Sequence, residues 1–202
     1  MSAPVGVILA GGQATRMGGG DKGLRHVAGR SLLTHVIDRL APQVSAIVLN
    51  ANGTPERFAQ YGLPVVADSL PDWPGPLAGV LAGMDWAAAQ GATSIVSAAA
   101  DTPFFPRDLV SRLQAATGPS GLAVAATRDN GELWRHPTFG LWPVALRDDL
   151  RAALKDGLRK VVQWTEAHEA GLAEFSTDPF DPFFNINTPE DIAMAEVLAG
   201  QA

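Results

Sequence analysis

The sequence predicts an α/β domain built on a mostly parallel, doubly wound sheet. Short apolar and β-branched runs alternate along the chain with segments of helical periodicity. The run at 94–100 is apolar almost throughout, which is typical of a strand buried at the centre of a parallel sheet. Strands that alternate with helices need crossover connections, and these place helices on both faces of the sheet. The fold class is therefore α/β with three layers.

The individual elements follow from local patterns. Strands are expected at 5–9, 46–49, 64–67, 94–100, 122–126 and 138–141, the last of them antiparallel. Helices are expected at 31–40, 55–61, 77–90, 106–116, 145–154, 158–167 and 189–198. Gly75-Pro76 suits the start of the helix at 77–90, and Thr188 with Asp191 forms a near capping box for the last helix. The segment 183–187 is expected to be a loop or a short strand.

Length and composition set the class of protein. The 202 residues suit one domain, 1–202. A hydrophobic content of 47% with 18% charged residues is typical of a globular chain. The net charge of -6, without a Lys/Arg cluster, argues against a nucleic-acid partner. The lack of cysteine excludes thiolate catalysis and disulfides. The apolar start at 5–10 is short and lacks a basic flank, and no run reaches membrane-span length, so no membrane partner and a cytoplasmic location are expected.

A glycine-rich stretch, residues 9–24, reads LAGGQATRMGGGDKGL and directly follows the first strand. Glycine lets backbone N–H groups turn inward around an anion, and Arg16 and Lys22 add positive charge. Ligand sites of open α/β sheets lie at this end of the strands. The stretch therefore predicts a phosphate-binding loop. It is not a Walker loop, because Gly23 stands where the hydroxyl residue is needed. The alternative is a glycine-rich surface loop with two solvated cations.

Polar residues also follow three later strands, at Asn50, Asp68 and Asp101. Together with Gly11 they are expected to line one crevice, because the carboxyl ends of parallel strands share one edge of the sheet. Asp101 suits Mg²⁺, which prefers one or two protein carboxylates plus substrate phosphates; the alternative is an N-cap for a helix beginning at Pro106. Asp68 suits the adjacent N–H donors of guanine; the alternative is a turn residue.

Three other segments have two interpretations each. Asn50 is a nucleotide contact, or it belongs to the turn at Asn52-Gly53. The helix start at 75–79 either supports an anion or base through its free N–H groups or serves packing. His136, beside Trp134 and Arg135, either contributes to binding a flat heterocycle and its phosphate or is structural.

The glycine stretch resembles a known family. The pattern Leu-Ala-Gly-Gly, then Arg-Met-Gly-Gly-x-Asp-Lys, is similar to the signature of molybdenum cofactor guanylyltransferases, which are nucleotidyltransferases with a GT-A-like, Rossmann-like fold. The related molybdopterin cytidylyltransferases typically have Ala-Ala-Gly where this chain has Ala10-Gly11-Gly12. Residues 183–191, FFNINTPED, resemble the C-terminal element of the same family. The resemblance extends over nearly the whole chain.

The resemblance implies transfer of GMP from GTP to the phosphate of the molybdopterin cofactor, with Mg²⁺ as the metal. It assigns catalysis to Lys22, Arg16 and Asp101, and the metal to Asp101. It assigns nucleotide binding to Leu9, Ala10, Gly11, Gly12, Lys22, Asn50, Asp68 and Asp101, and the acceptor to Asn185 and Asn187. Residues 1–120 would form the nucleotide half and 121–202 the acceptor half. Transient contact with molybdoenzymes or cofactor chaperones is consistent with this role.

Two alternatives of function stay open at this point. Within the enzymes, the chain could use CTP or transfer to another small-molecule phosphate. In a different class, it could be a catalytically silent GTP-binding partner of molybdoenzymes.

Overall fold

The computed structural model describes residues 3–11, 20–70 and 75–200, and these residues build one seven-stranded sheet and a small hairpin. The strands are β1 (Val5–Leu9), β2 (His26–Val27), β3 (Arg30–Ser31), β4 (Ala46–Asn50), β5 (Val65–Val66), β6 (Ser94–Ala99), β7 (Ala123–Asp129), β8 (Glu132–Pro143) and β9 (Gly171–Phe175). The α-helices are α1 (Leu32–Leu40), α2 (Pro76–Ala89), α3 (Leu109–Ala115), α4 (Arg147–Lys155), α5 (Val161–Ala167) and α6 (Pro189–Ala199).

The strand order in the large sheet is β5-β4-β1-β6-β8-β7-β9, and β2 pairs with β3 in the hairpin. Strands β5, β4, β1 and β6 run parallel, so their carboxyl ends meet at one edge. Strand β8 is antiparallel to both β6 and β7, and β7 is parallel to β9. Strand β8 therefore lies between two groups of strands. The N-terminal part of the chain supplies β5, β4, β1 and β6 on one side, and the C-terminal part supplies β7 and β9 on the other.

Apolar side chains fill both faces of the sheet. On one face, helices α1 and α3 bury residues such as Leu33, Val36 and Leu113 against the strands. On the other face, α2, α4 and α5 contribute residues such as Leu81 and Trp164. This arrangement confirms the three-layer, doubly wound α/β class.

The hairpin and the last helix form a smaller unit beside the sheet. Val27, Leu32, Phe104, Ile186 and Ala195 pack together there. Helix α6 begins as expected: Thr188 Oγ1 accepts from the Asp191 N–H, and the Asp191 carboxylate accepts from the Thr188 N–H. This reciprocal cap fixes the direction in which the preceding segment enters the helix.

Most predicted elements are confirmed, and the differences have local causes. The helix expected at 106–116 begins only at Leu109, with Asp108 as its N-cap residue. Asp101 is therefore not the cap of that helix. The segment 55–61 is a 3-10 helix. The helix expected at 158–167 begins at Val161, because the backbone of Lys160 is extended.

Two elements escape the sequence prediction, namely the β2–β3 hairpin and the edge strand β9. Strand β8 is also much longer than the predicted 138–141, because it continues into a hairpin with β7. Among the described residues, no helix has the length and apolar character needed to cross a bilayer.

Candidate active site

A cavity of about 480 Å³ lies at the carboxyl ends of the parallel strands. Five of the predicted nucleotide residues line it: Leu9, Gly11, Asn50, Asp68 and Asp101. A small adjoining cavity shares Leu9 and Asp101 and adds Ala10 and Lys22. The single crevice expected from strand topology is thus confirmed. Gly12 and Arg16 lie outside the described residues.

At one end of the cavity, two amides hold the Asp68 carboxylate. Asn50 Nδ2 donates to Asp68 Oδ1 at 2.9 Å, and Asn52 Nδ2 donates to Asp68 Oδ2 at 2.7 Å. Asn52 Oδ1 in turn accepts from the Asp68 N–H at 2.9 Å. Each carboxylate oxygen keeps a further lone pair for another donor. Asn50 is the last residue of β4 and not part of the Asn52-Gly53 turn, and Asn50 and Asn52 together orient Asp68.

The fit of helix α2 against this group depends on Gly79. A Cβ at Gly79 would lie 2.2 Å from Asn50 Oδ1 and 2.8 Å from Leu9 Cδ2. Only a residue without a side chain lets the helix approach Asn50 this closely. Gly79 therefore has a packing role at the site. Gly75 and Pro76, at the start of the same helix, line the cavity.

At the other end of the cavity, the Lys22 ammonium lies between two oxygen acceptors. Its Nζ is 2.5 Å from Asn187 Oδ1 and 3.3 Å from Asp101 Oδ2. The side chains of Lys22 and Asp101 are each 21% exposed, so both remain open to a ligand. The arrangement brings a cation from the glycine stretch, a carboxylate from the end of β6 and an amide from the C-terminal segment to one place.

The C-terminal segment is held there by the end of β6. The Ile186 N–H donates to the Asp101 carbonyl at 2.9 Å, and Thr102 Oγ1 donates to Asn185 Oδ1 at 2.5 Å. Thr102 is fully buried, whereas Asn185 is exposed. The two asparagines predicted to contact the acceptor are therefore anchored next to Asp101, although more than eighty positions separate them in the chain.

Sequence reasoning missed Arg57, which links the two ends of the cavity. Its Nε donates to Asp21 Oδ2 at 2.7 Å, and its Nη2 donates to the Asn52 carbonyl at 2.6 Å. Asp21 directly precedes Lys22, and Asn52 holds Asp68. The only signal in the sequence is an arginine within a short helical segment, and nothing in its spacing points to a partner 36 positions away.

The side-chain oxygen atoms near Asp101 suit a cation that also binds oxygen atoms of a ligand. Within the described ranges, no three His, Asp or Glu side chains converge as a metal cage. Asp101 offers one carboxylate beside the amide oxygens of Asn185 and Asn187. A hard cation such as Mg²⁺ is commonly held by one or two carboxylates, with substrate phosphates and water completing its shell. The residues present fit that mode of binding.

His136 has structural partners, and it also faces a cavity. Its ring stacks on Phe183 with centroids 4.3 Å apart, and Nε2 is 2.8 Å from Thr127 Oγ1. Burial lowers the pKa of His136 below its ordinary value, and the charge of Asp181 offsets part of that change. The imidazole is therefore kept neutral. His136 and Trp134 line a second cavity, and Thr138, two positions after His136 on β8, lines the first.

Sequence comparison decides the family. Residues 6–170 match the MobA-like NTP transferase domain. The chain belongs to the MobA-like NTP transferase family. Within that family it is 54% identical to a molybdenum cofactor guanylyltransferase of Nitrobacter hamburgensis, over 96% of this chain and 93% of the relative. It is 55% identical to a protein of the same name from Rhodopseudomonas palustris, over 96% of this chain and 92% of the relative.

Solved structures confirm the MobA-like fold. Molybdopterin-guanine dinucleotide biosynthesis protein A from Archaeoglobus fulgidus superposes with a TM-score of 0.72 at 23% identity, covering 98% of this chain and all of the other. A 4-diphosphocytidyl-2C-methyl-D-erythritol synthase from Anaerococcus prevotii gives 0.73 at 14% identity, covering 98% and 96%. At these identities the likeness concerns the fold alone, so the choice of substrate depends on the site residues and the more similar relatives.

Proposed function

We propose that this protein transfers GMP from GTP to the terminal phosphate of the molybdopterin cofactor, forming the guanine dinucleotide cofactor and pyrophosphate. The observation that carries the proposal is the placement of Lys22 between Asp101 and Asn187, at the opposite end of the cavity from the doubly held Asp68. The names of relatives that are more than half identical over nearly their full length support the same substrates.

The reaction is a substitution at phosphorus. An oxygen of the acceptor phosphate attacks the α-phosphorus of GTP, a new P–O–P bond forms, and the bond to the β-phosphate oxygen breaks. The leaving group is pyrophosphate. No side chain has to form a covalent intermediate, so the protein acts by positioning the substrates and by stabilising charge.

The base is read at the Asp68 end of the cavity. Guanine presents adjacent N–H donors on N1 and N2, and the two carboxylate oxygens of Asp68 accept both. Cytosine and adenine do not offer that pair of donors. Because Asn50 and Asn52 already fix the carboxylate, little ordering is needed when guanine binds.

The phosphates lie at the Lys22 end. The backbone at Leu9, Ala10 and Gly11, continued by Gly12, holds the phosphate chain, and the Lys22 ammonium balances the charge that moves onto pyrophosphate. Arg16 is proposed to act with Lys22 on the same charge. The amides of Asn185, which is exposed, and Asn187, which is half-buried, orient the acceptor phosphate opposite the leaving group.

Nucleotidyltransferases of this kind typically use a divalent metal ion. We assign Mg²⁺ here, with Asp101 as its protein ligand. When bound, Mg²⁺ supplies positive charge to the phosphate oxygens and helps to orient them. Asp101 also accepts from Lys22, so the carboxylate sets the position of the ammonium as well.

Three broader assignments belong to the same proposal. Residues 1–120 carry nucleotide binding and 121–202 carry acceptor binding. The protein works in the cytoplasm, and it meets molybdoenzymes or cofactor chaperones transiently when the product is handed over. Cell fractionation and cross-linking in cells that make the cofactor test the last two.

The test of the function is an assay of pyrophosphate release with purified protein, Mg²⁺, the molybdopterin cofactor and each of GTP, CTP, ATP and UTP. The proposal requires release with GTP that depends on the acceptor. Equal release with CTP would favour a cytidylyltransferase. GTP binding without release in the presence of the acceptor would favour a silent binding partner.

A further inference from the structure

A second cavity, of about 440 Å³, lies beside the proposed active site. Its lining comes from the β7–β8 hairpin and from the segment after β9: Thr127, Asp129, Trp134, His136, Thr177 and Asp181. In the antiparallel register, Thr127 lies opposite Trp134 and Ala125 lies opposite His136. The hairpin residues of the lining therefore share one face of the sheet.

Two chain segments lead from this cavity to the nucleotide cavity. On β8, His136 lines the second cavity and Thr138 lines the first. In the C-terminal segment, Phe183 stacks on His136, and Asn185 is anchored by Thr102 beside Asp101. Two residues of extended chain span at most about 7 Å. One small molecule can therefore place a phosphate at the Asp101 end and a ring in the second cavity.

The lining has the chemistry of a site for a flat heterocycle. Trp134 is 54% exposed, and its indole is the kind of surface on which a planar ring stacks. The neutral imidazole of His136 is fixed by Phe183 and Thr127, and Thr127 is buried. The cavity thus has two aromatic side chains in its lining, and the ring of His136 is held in place by Phe183 and Thr127.

Carboxylates supply the polar side of the cavity. Asp181 Oδ1 accepts from the Phe183 N–H at 2.9 Å, which fixes this carboxylate relative to the stacked rings. Asp129 lies at the end of β7 on the same side. A carboxylate matches a ring edge that presents a ring N–H next to an exocyclic amine, as a 2-amino-4-oxopyrimidine edge does.

We propose that this second cavity binds the ring system of the acceptor, a fused heterocycle with a 2-amino-4-oxopyrimidine edge, with Trp134 as the stacking surface and Asp181 as the acceptor of its N–H donors. The inference rests on the proposed function, because that function supplies the acceptor. It extends that function by naming side chains that distinguish the acceptor from other phosphates. Asn185 and Asn187 then orient the phosphate, and the second cavity selects the ring.

The test compares Trp134→Ala and Asp181→Asn with the parent protein. Asparagine at 181 keeps an oxygen for the Phe183 N–H but loses one acceptor. Glu132→Gln is the matched control, because Glu132 lies on the same hairpin, is exposed and does not line the cavity. Steady-state transfer is measured with varied molybdopterin cofactor at saturating GTP, and GTP binding is measured separately by calorimetry.

We expect KM for the acceptor to rise by about tenfold or more in both variants, the scale of one lost charged hydrogen bond or aromatic contact. GTP affinity should not change, and Glu132→Gln should behave as the parent. As a probe free of turnover, pterin-6-carboxylate should bind the parent more tightly than lumazine-6-carboxylate, which lacks the 2-amino group. Asp181→Asn should remove that preference.

The outcomes separate this inference from the function on which it rests. If the parent protein transfers GMP and both variants keep the parent KM, the second cavity is not the ring site and the inference is wrong. If the parent binds GTP but transfers nothing, the proposed function fails whatever the variants do with pterin-6-carboxylate. Two GTP molecules bound per chain, one of them lost in Trp134→Ala, would make the cavity a guanine site and overturn the inference.

Discussion

Lys22 Nζ and Asn187 Oδ1 lie 2.5 Å apart, although 165 positions separate them in the chain. The contact joins the glycine stretch that follows β1 to the segment that precedes α6. It places the ammonium beside Asp101 and next to the amides proposed for the acceptor. Nucleotide and acceptor would therefore meet at one cation, and a change at Lys22 should affect the step in which both take part.

The first prediction concerns Lys22. Charge moves toward pyrophosphate in the transition state, so Lys22 should contribute more to the rate than to ground-state binding. Lys22→Ala should lower kcat by about two to three orders of magnitude, the scale of one lost donor in a preorganised site. Lys22→Arg should restore only part of kcat, because a planar guanidinium group does not replace a compact ammonium group. Single-turnover rates beside direct GTP binding check this; an unchanged rate with weaker binding would make Lys22 a simple anchor.

The second prediction concerns Asp101. Asp101→Asn keeps the size of the side chain but removes the charge that suits a divalent cation. Mg²⁺-dependent transfer should fall by about a hundredfold or more, while the melting temperature changes little, because the Asp101 carbonyl still accepts from Ile186. Transfer rates over a Mg²⁺ titration, with melting curves, check this. Full turnover at ordinary Mg²⁺ would refute the assignment.

The third prediction concerns base choice. Asp68→Ala should weaken GTP binding by about 1–3 kcal/mol, the cost typical of a lost hydrogen bond to a charged group, and should change CTP and ATP binding less. Ser69→Ala is a neighbouring control, because Ser69 Oγ donates to Asp85 and not into the cavity. Calorimetry with the three nucleotides measures the difference. Equal weakening of all three would show that Asp68 does not read the base.

The fourth prediction uses two glycines of α2. A Cβ at Gly79 would meet Asn50 Oδ1 at 2.2 Å, and a Cβ at Gly83 would meet Val7 Cγ2 at 2.5 Å. Both alanine variants should lose about 1–3 kcal/mol of stability through overpacking. Only Gly79→Ala should also weaken GTP binding, because it displaces Asn50 and thereby Asp68. Denaturant melts together with GTP titrations test this, and equal GTP affinity in the two variants would contradict it.

The fifth prediction concerns pH. Burial lowers the pKa of His136 below its ordinary value of 6.5 in the native protein. Below pH 6.5, His136 therefore binds a proton more readily in the unfolded chain than in the native protein. The contribution of His136 to the free energy of unfolding is therefore complete above about pH 6.5, and it is lost as the pH falls from there toward and through the native pKa. His136→Gln should show a shallower loss of melting temperature between pH 6.5 and 5 than the parent; identical slopes would contradict the prediction.

Much of the fold was predictable because its signals are local. The apolar stripe of α1 consists of Leu32, Leu33, Val36, Ile37 and Leu40. Four of these residues are buried, and Ile37 is half-buried. The capping pattern at Thr188 indicates the start of α6. Strand β9 was missed because five residues at a sheet edge carry little pattern of their own. Its place is set by pairing with β7, which is not a property of the segment itself.

The candidate site likewise contains some residues that the sequence predicts and others that only the folded structure brings together. Residues at strand ends, such as Asp68 and Asp101, could be grouped from the sequence, because topology brings the ends of parallel strands together. Arg57 could not be found, because its role comes from reaching Asp21 and Asn52 in the folded chain. The sequence places Gly79 in a helix start, but its contact with Asn50 depends on how α2 lies against the sheet.

Transfer of GMP from GTP to the acceptor phosphate at this site can be followed directly. The most direct measurement uses GTP labelled separately at the α- and γ-phosphates, with purified protein, Mg²⁺ and the molybdopterin cofactor. We expect the α-label to enter a dinucleotide that contains the cofactor and the γ-label to appear in an equal amount of pyrophosphate. Release of the α-label as free GMP or GDP, or equal incorporation from α-labelled CTP, would contradict it.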